Sequence, residues 1–415
     1  MSLSFSTGVH AAFFAPLDGL AAVSAHARQC PEFSDADWLA AGLGRCLEKA
    51  GSGRGFLQEH GLRLAAAPTH SNYFHSLHSE RRLELLAGIN ASVLAAARLP
   101  DRLAELPELQ NYECFALDGH WHQAATHDPR HGKVKMPVGH FYSLDLRGHQ
   151  LRHLAAAEGL HEHDLHALKR AVKPTGLRHG VPKGKKVLVI YDKAGIDLAF
   201  WNRCRREKAV YFLSRLKENM VYEWIESRPL DPKDPHNAGV QSDRRVRMAS
   251  GDEMRVIHYI EPALGKSYEF LTNDLSLPAG VLAELYRRRW ELEKVFDEIK
   301  NKLGEKKAWG TSQTARQTQA QFIVLTHNLL LIYENRLEVE HGVVNAAEDR
   351  RRAGRQQTLA AYIQKTGREI SSLVVCLRRA TQRSVKFLRW LRQALRERLT
   401  EEAALPLLHH LYASL

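Results

Sequence analysis

No run in this chain comes near the roughly 18 uncharged apolar residues that a membrane-spanning helix requires, so no such span is expected among its 415 residues. Cysteine is scarce. Cys30, Cys46, Cys114, Cys204 and Cys376 are scattered, odd in number and without a CxxC pair, which argues against a disulfide framework or a zinc knuckle and fits a reducing compartment. The early Ala11-Ala-Phe-Phe-Ala15 run is interrupted at Asp18 and lacks a leading Lys or Arg, a poor match to a signal peptide. A cytoplasmic protein with no membrane partner is expected. No fixed-period repeat is visible, and no helix-turn-helix pattern stands out. Acid is in deficit: 47 Asp+Glu face 59 Lys+Arg, a formal charge of +12, and such an excess favours an anionic partner, most often nucleic acid. The imbalance concentrates between Ala346 and Arg398, where 14 Lys/Arg stand against Glu348, Asp349, Glu369 and Glu397.

What is present is enough for two or three domains with a sizeable core, since 44% of residues are apolar. Residues 1–106 read as helical: Asp35-Ala-Asp37-Trp38 starts one helix, and Arg81 to Leu99 is a second amphipathic run. Pro100 and Pro107 mark a boundary. Tyr112 to Leu117 has the pattern of a buried strand ending at Asp118. Phe141 to Leu146 and Gln150 to Ala155 flank Arg147-Gly148 as a hairpin. A helix from about His161 to Val172, a strand from Val187 to Tyr191 ending at Asp192, a helix from Leu198 to Lys208 and a strand from Val210 to Leu213 follow. This order is the framework of a ribonuclease H-like α/β domain over 107–335, whose first and fourth strands neighbour one another. Residues 219–271 interrupt it with β-like pieces between breakers, a β-rich insertion. Residues 336–415 read as a basic helical region.

The most informative run is Leu285-Tyr-Arg-Arg-Arg-Trp-Glu-Leu-Glu-Lys-Val-Phe-Asp-Glu-Ile-Lys300. On a helix, Tyr286, Arg289, Glu293 and Lys300 fall within an arc of about 60°, with Leu285, Leu292, Phe296, Ile299 and Leu303 filling the adjoining arc. One acid, two cations and a phenol along a packed helix edge suit a metal-and-phosphate site. Phosphodiester chemistry uses two divalent cations about 4 Å apart, held by a few carboxylates, and Mg²⁺ takes one or two carboxylates plus phosphate oxygens. Asp118, Asp192 and Glu293, two at strand ends and one on a helix, are the expected catalytic and metal-binding residues, with Mg²⁺ as cofactor and Mn²⁺ as a substitute. Arg289 and Lys300 are expected to bind DNA phosphate, the first as a fork and the second as a point charge, and Tyr286 to donate to a phosphate.

The chain resembles the DDE transposases of bacterial insertion sequences, in the group with a Y-x2-R-x3-E-x6-K signature. Tyr286, Arg289, Glu293 and Lys300 match that spacing without a gap. Phe270-Leu-Thr-Asn273 and Tyr211-Phe-Leu-Ser-Arg-Leu-Lys217 also match the group's wording, and Ser52-Gly-Arg-Gly-Phe56 and Asn72-Tyr-Phe74 resemble its N-terminal region. The likeness spans roughly residues 30 to 335 and is strongest at the signature helix. It implies cut-and-paste transposition: nicking at element ends, attack by the freed 3′ hydroxyl and joining to target DNA. It also implies double-stranded DNA as partner, a homodimer in the synaptic complex, action at the nucleoid and an N-terminal region that binds DNA. One departure stands out. The family usually has Arg-Gly-Tyr after the second acid, whereas this chain has Lys193-Ala194-Gly195, which leaves Asp197 as a competitor of Asp192.

Two other readings belong to the same residues: a ribonuclease H-like nuclease without strand transfer, or an inactive transposase-derived DNA-binding protein. His120-Trp121-His122 reads as a loop. Ligation by His120 and His122 would need further matched ligands; His161-Glu-His-Asp164 with His166 is metal-like in composition and reads as a solvated helix start. Arg378, Arg379, Arg383, Lys386, Arg389, Arg392 and Arg396, with Phe387 and Trp390 among them, read as a helix laid on DNA phosphates or as a solvated face.

Overall fold

Val187, Leu188, Val189 and Ile190 form the unbroken apolar run that a strand covered on both faces requires, and all four are fully buried in the computed structural model. It describes residues 8–18, 33–48, 52–61, 68–125, 128, 138–157, 162, 164–171, 176–178, 180–303, 307–380 and 382–413. Around that run lies a nine-stranded sheet: β1 (Tyr112–His122), β2 (Val138–Asp145), β3 (Leu151–Ala156), β4 (Lys186–Ile190), β5 (Val210–Arg215), β6 (Tyr222–Ser227), β7 (Val240–Met248), β8 (Glu253–Ile260) and β9 (Ser267–Thr272). The order is β3-β2-β1-β4-β5-β9-β8-β7-β6. β1, β4 and β5 are parallel, and every other pairing is antiparallel. The first five strands are the expected ribonuclease H-like core. The β-rich insertion is continuous with it, because β9 returns beside β5 with Leu213 opposite Thr272 and carries the sheet on outward.

The helices are α1 (Val9–Phe14), α2 (Asp35–Leu47), α3 (Gly53–Gly61), α4 (His70–Ser76), α5 (Glu80–Ala96), α6 (Asp164–Ala171), α7 (Leu198–Lys208), α8 (Ala279–Arg288), α9 (Trp290–Asp297), α10 (Gln313–His341), α11 (Ala347–Thr366), α12 (Leu373–Cys376), α13 (Val385–Glu397) and α14 (Glu401–Ala413). Local chemistry starts many of them. The side chains of Ser34, Thr69, Ser79, Asp197 and Ser312 each accept a hydrogen bond from the backbone three residues on, an N-cap worth about 1 kcal/mol apiece.

Side-chain alternation along the strands divides the apolar residues between two layers. Cys114, Ala116, Leu188 and Ile190 face one cluster that also holds Trp38 and Val93 of the N-terminal helices, Phe322 and Leu330 of α10, and Phe387 and Trp390 of α13. Phe115, Leu117, Val187 and Val189 face another, closed by Trp201 and Cys204 of α7. The segments 1–106 and 336–415 thus place side chains in the same apolar layer, on one face of the sheet. Of the helix expected from His161 to Val172, Asp164–Ala171 is helical; His161, His163 and Val172 lie outside the described residues. Among the described residues, no helix is long and apolar enough to cross a membrane.

Candidate active site

Strand register brings two of the three predicted acids together. Parallel pairing ends at Ala116 opposite Ile190 between β1 and β4, and at Ile190 opposite Leu213 between β4 and β5. Two residues further along stand Asp118 and Arg215, still within β1 and β5, and Asp192, just past the end of β4, whose charge acts on Asp118. β1 does not end at Asp118 as expected. It continues to His122 because β2 still pairs with it, Asp118 lying opposite Tyr142, while the chain after β4 turns away through a short 3-10 turn, Lys193–Gly195. Asp192 caps that turn, its Oδ1 accepting from the Ala194 amide at 2.9 Å.

The displaced glycine has a steric reason. A Cβ on Gly195 would lie 1.8 Å from the Tyr191 ring, so the ring needs a bare backbone there. Gly195→Ala is expected to force the ring aside, cost about 1–3 kcal/mol by overpacking and lower DNA cleavage by shifting Asp192. Unfolding midpoints and cleavage rates check it, and a neutral substitution would refute this account of the turn. Asp197 is engaged elsewhere: it caps α7 through the Phe200 amide and pairs with Lys169 at 2.6 Å.

The signature run is not one regular helix. At Arg289 the bonding tightens to three residues, its amide donating to the Tyr286 carbonyl at 3.2 Å and its carbonyl accepting from the Leu292 amide at 3.1 Å, while its backbone stays helical at φ −52°, ψ −35°; further on, a π turn spans Glu298–Lys302. The wider turn, closed by the Leu303 amide on the Glu298 carbonyl at 2.9 Å, takes Lys300 off the phase that a 3.6-residue period assigns it. Lys300 is exposed, and its charge acts on His120. The stripe of Leu285, Leu292, Phe296, Ile299 and Leu303 is buried as expected.

Three consecutive arginines part ways at this join. Arg287 stays half-buried. Arg288, fully buried, bonds Glu284 (2.9 Å), the Arg102 carbonyl (2.8 Å) and the Arg378 carbonyl (2.7 Å), tying the end of α8 to two distant segments. Arg289 points the other way. Its Nη1 donates to Asp118 Oδ2 at 2.9 Å and its Nη2 to Glu293 Oε1 at 2.8 Å. This guanidinium bridges two of the acids, one from β1 and one from α9.

Burial pushes the Asp118 carboxyl up to about 6; Arg289 and the Gly119 amide oppose that rise, and the charges of Asp192 and Glu293 add to it. Tyr286, on α8, is buried against Phe270 (ring centroids 4.9 Å apart), with the Arg289 guanidinium 5.9 Å from its ring centre. Burial raises its phenol pKa, so it is neutral and a donor at ordinary pH. Two carboxylates thus share one guanidinium, and the charge of a third, Asp192, acts on Asp118. No group of three or more His, Cys, Asp or Glu among the described residues is arranged to hold a metal ion, Arg289 standing between Asp118 and Glu293. The donor chemistry still fits a hard divalent cation, since it is all carboxylate oxygen and the negative charge exceeds the single arginine.

Around these acids stand residues that no signature spacing points to: exposed Lys193 and Arg215 and Trp290, 57% exposed. Arg215 was reachable by counting register forward from Ile190 and Leu213. His120 and His122 lie in β1, not in a loop, and are buried with His140 of β2 and next to His153 of β3. Ring centres are 4.8 Å apart for His120 and His122, 5.5 Å for His122 and His140, and His140 Nδ1 lies 3.1 Å from His153 Nε2. His166 is exposed on α6.

Burial lowers the pKa of His140 well below normal and that of His153 to about 4; His122 lowers both further, and Arg316 from α10 also lowers His140. Both stay neutral in the fold while the unfolded chain protonates near 6.5. The unfolded state then binds more protons, so stability falls as pH drops from about 6.5 toward 4, by about 1.4 kcal/mol per pH unit per site. Denaturation midpoints measured across that window check this. His140→Phe with His153→Leu should flatten the decline, and an unchanged slope would contradict it.

A family model described as a transposase DDE domain matches residues 111–329. A putative transposase of Sinorhizobium fredii is 30% identical over 148 residues, covering 34% of this chain and 41% of that protein. A probable transposase for an insertion sequence element of Geobacillus stearothermophilus is 26% identical over 168 residues, covering 38% of this chain and 44% of that protein. The matches span less than half the length of these relatives.

Proposed function

Because the chain belongs to the transposase DDE domain family, we propose that it is an insertion-sequence transposase of the Y-x2-R-x3-E-x6-K group, excising element ends and joining them to target DNA. The observation that carries this reading is that Asp118 and Asp192 lie two residues beyond the last β1–β4 pair, close enough for the Asp192 charge to act on Asp118, with Glu293 coupled to Asp118 through Arg289.

Members of the family generally use divalent metal ions. Asp118, Asp192 and Glu293 would hold them here, with Mg²⁺ as the ion and Mn²⁺ as a substitute. When bound, such a pair supplies an activated water or hydroxyl and stabilises the leaving oxygen. The chain's own residues do the rest. Arg289 offsets repulsion between Asp118 and Glu293 and keeps them facing one another. Tyr286, neutral through burial, donates to a phosphate oxygen. Lys300, Lys193 and Arg215 supply positive charge around the acids, and the exposed Trp290 ring offers a surface for a base to stack on. In the first reaction water attacks phosphorus, the bond to the 3′ oxygen breaks and that oxygen takes up a proton. In the second, the freed 3′ hydroxyl attacks a target phosphorus and releases a target 3′ hydroxyl.

Two copies would act on two element ends, with 1–106 recognising the ends, 107–335 performing the chemistry and 336–415 supporting assembly, in the cytoplasm at the nucleoid. The test is a plasmid carrying the coding sequence with its native flanks, incubated with the protein, Mg²⁺ and target DNA. Excision with joined product supports transposition. Nicks without joining would mean a nuclease, and binding without cleavage an inactive relative.

A further inference from the structure

The positive charge of residues 346–398 is distributed differently from its sequence order. The α13 segment, which reads as a helix laid on DNA or as a solvated face, turns Phe387 and Trp390 into the core. Several cations of this stretch are engaged at home: ahead of α13, Arg383 holds Glu298 and Glu334 and Arg378 pairs with Asp349, and within it Arg392 bonds the Leu47 and Lys302 carbonyls.

α11 is the opposite case. Of its 20 residues only Glu348 and Leu359 are buried. From Arg350 to Arg368 there is no acid, against six cations. At 100° per residue, Arg350, Arg351 and Lys365 fall on one outer arc of about 100°, together with Gly354, Thr358 and Ala361, all exposed. The two ends of that arc are about 22 Å apart along the axis. The small side chains leave the surface low between them.

Helix stability does not explain this pattern. Cations in the first turns oppose the helix dipole, and the N-cap residue, Ala346, has no capping side chain, the Asn345 Oδ1 taking only the Ala347 amide. The two acids of the first turn, Glu348 and Asp349, are each taken by another cation, Arg355 at 2.7 Å and Arg378 at 2.7 Å. An exposed, acid-free row of cations with small residues between them complements a regularly charged polyanion.

We infer that the outer face of α11 is a phosphate-tracking surface for duplex DNA, separate from the carboxylate site. The inference rests on the transposase reading only in taking duplex DNA as the polyanion. Each phosphate neutralised releases counterion, so binding weakens with salt in proportion to the contacts made.

The test measures affinity of the full chain for a non-specific duplex by fluorescence anisotropy across a KCl series. The comparison is between wild type, the triple variant Arg350→Gln, Arg351→Gln, Lys365→Gln, and a control, Lys233→Gln, Arg244→Gln, Lys266→Gln, that removes equal charge from the antiparallel end of the sheet. The α11 variant is expected to bind about tenfold or more weakly at 0.1 M salt and to lose roughly 2 to 3 from the log–log salt slope, while the control changes far less. Equal losses in both variants, or none in the α11 variant, overturn the inference. Wild-type cleavage is scored in parallel. A protein that fails to cut but shows the α11 effect refutes the catalytic reading alone; one that cuts and shows no α11 effect refutes only this surface.

Discussion

Asp192→Asn is expected to reduce DNA cleavage by roughly 10³-fold or more, the scale of losing a site's main electrostatic group, while leaving duplex affinity and unfolding midpoint unchanged. Asparagine has nearly the shape of aspartate and still accepts at an N-cap, so the Ala194 amide keeps its partner and the turn keeps its form. Only the charge goes. Asp118→Asn and Glu293→Gln should act alike, with one difference: each also weakens an Arg289 contact. Cleavage in Mg²⁺ and DNA binding, measured on the same preparations, separate a catalytic loss from a folding defect. Near-normal cleavage by any of the three would remove that residue from the site.

Arg383→Met is expected to carry the largest stability penalty among single substitutions of the tail cations, roughly 3–5 kcal/mol. Arg383 is 5% exposed and joins Glu298 of the π turn to Glu334 of α10, 2.7 Å away. Burial would raise the Glu298 pKa, but the charges of Arg383 and His327 outweigh it and the net shift is downward. Without the guanidinium, the buried Glu298 carboxylate faces that of partly exposed Glu334, and the penalty is that of an undercompensated buried charge. Arg389→Met, on the exposed side of α13, should fall within about 0.5 kcal/mol of wild type. Denaturant unfolding of both variants checks the contrast, and equal small effects would contradict it.

The contrast between these arginines also explains what the sequence could and could not reveal. Local pattern sufficed for α7, whose bounds match the expected Leu198 to Lys208, and for the apolar stripe beside Glu293, because periodicity records burial directly. It failed wherever a distant partner decides the outcome. β1 runs past Asp118 because β2 lies beside it. Arg289 meets an acid 171 positions away, and Arg383 one 85 positions away; nothing in the immediate sequence of either cation distinguishes such a partner from solvent or phosphate. The tightened turn at Arg289 and the π turn that carries off Lys300 escaped for a related reason: a 3.6-residue projection assumes the regular i to i−4 hydrogen bonding that both replace.

The measurement that bears most directly on the carboxylate site is anomalous diffraction from crystals of the wild-type protein soaked in Mn²⁺, repeated with Asp118→Asn. The account predicts Mn²⁺ density contacting Asp118 together with Asp192 or Glu293 in the wild type, lost or strongly reduced in the variant. Mn²⁺ seated elsewhere, or density among these residues that is indifferent to the substitution, would contradict it.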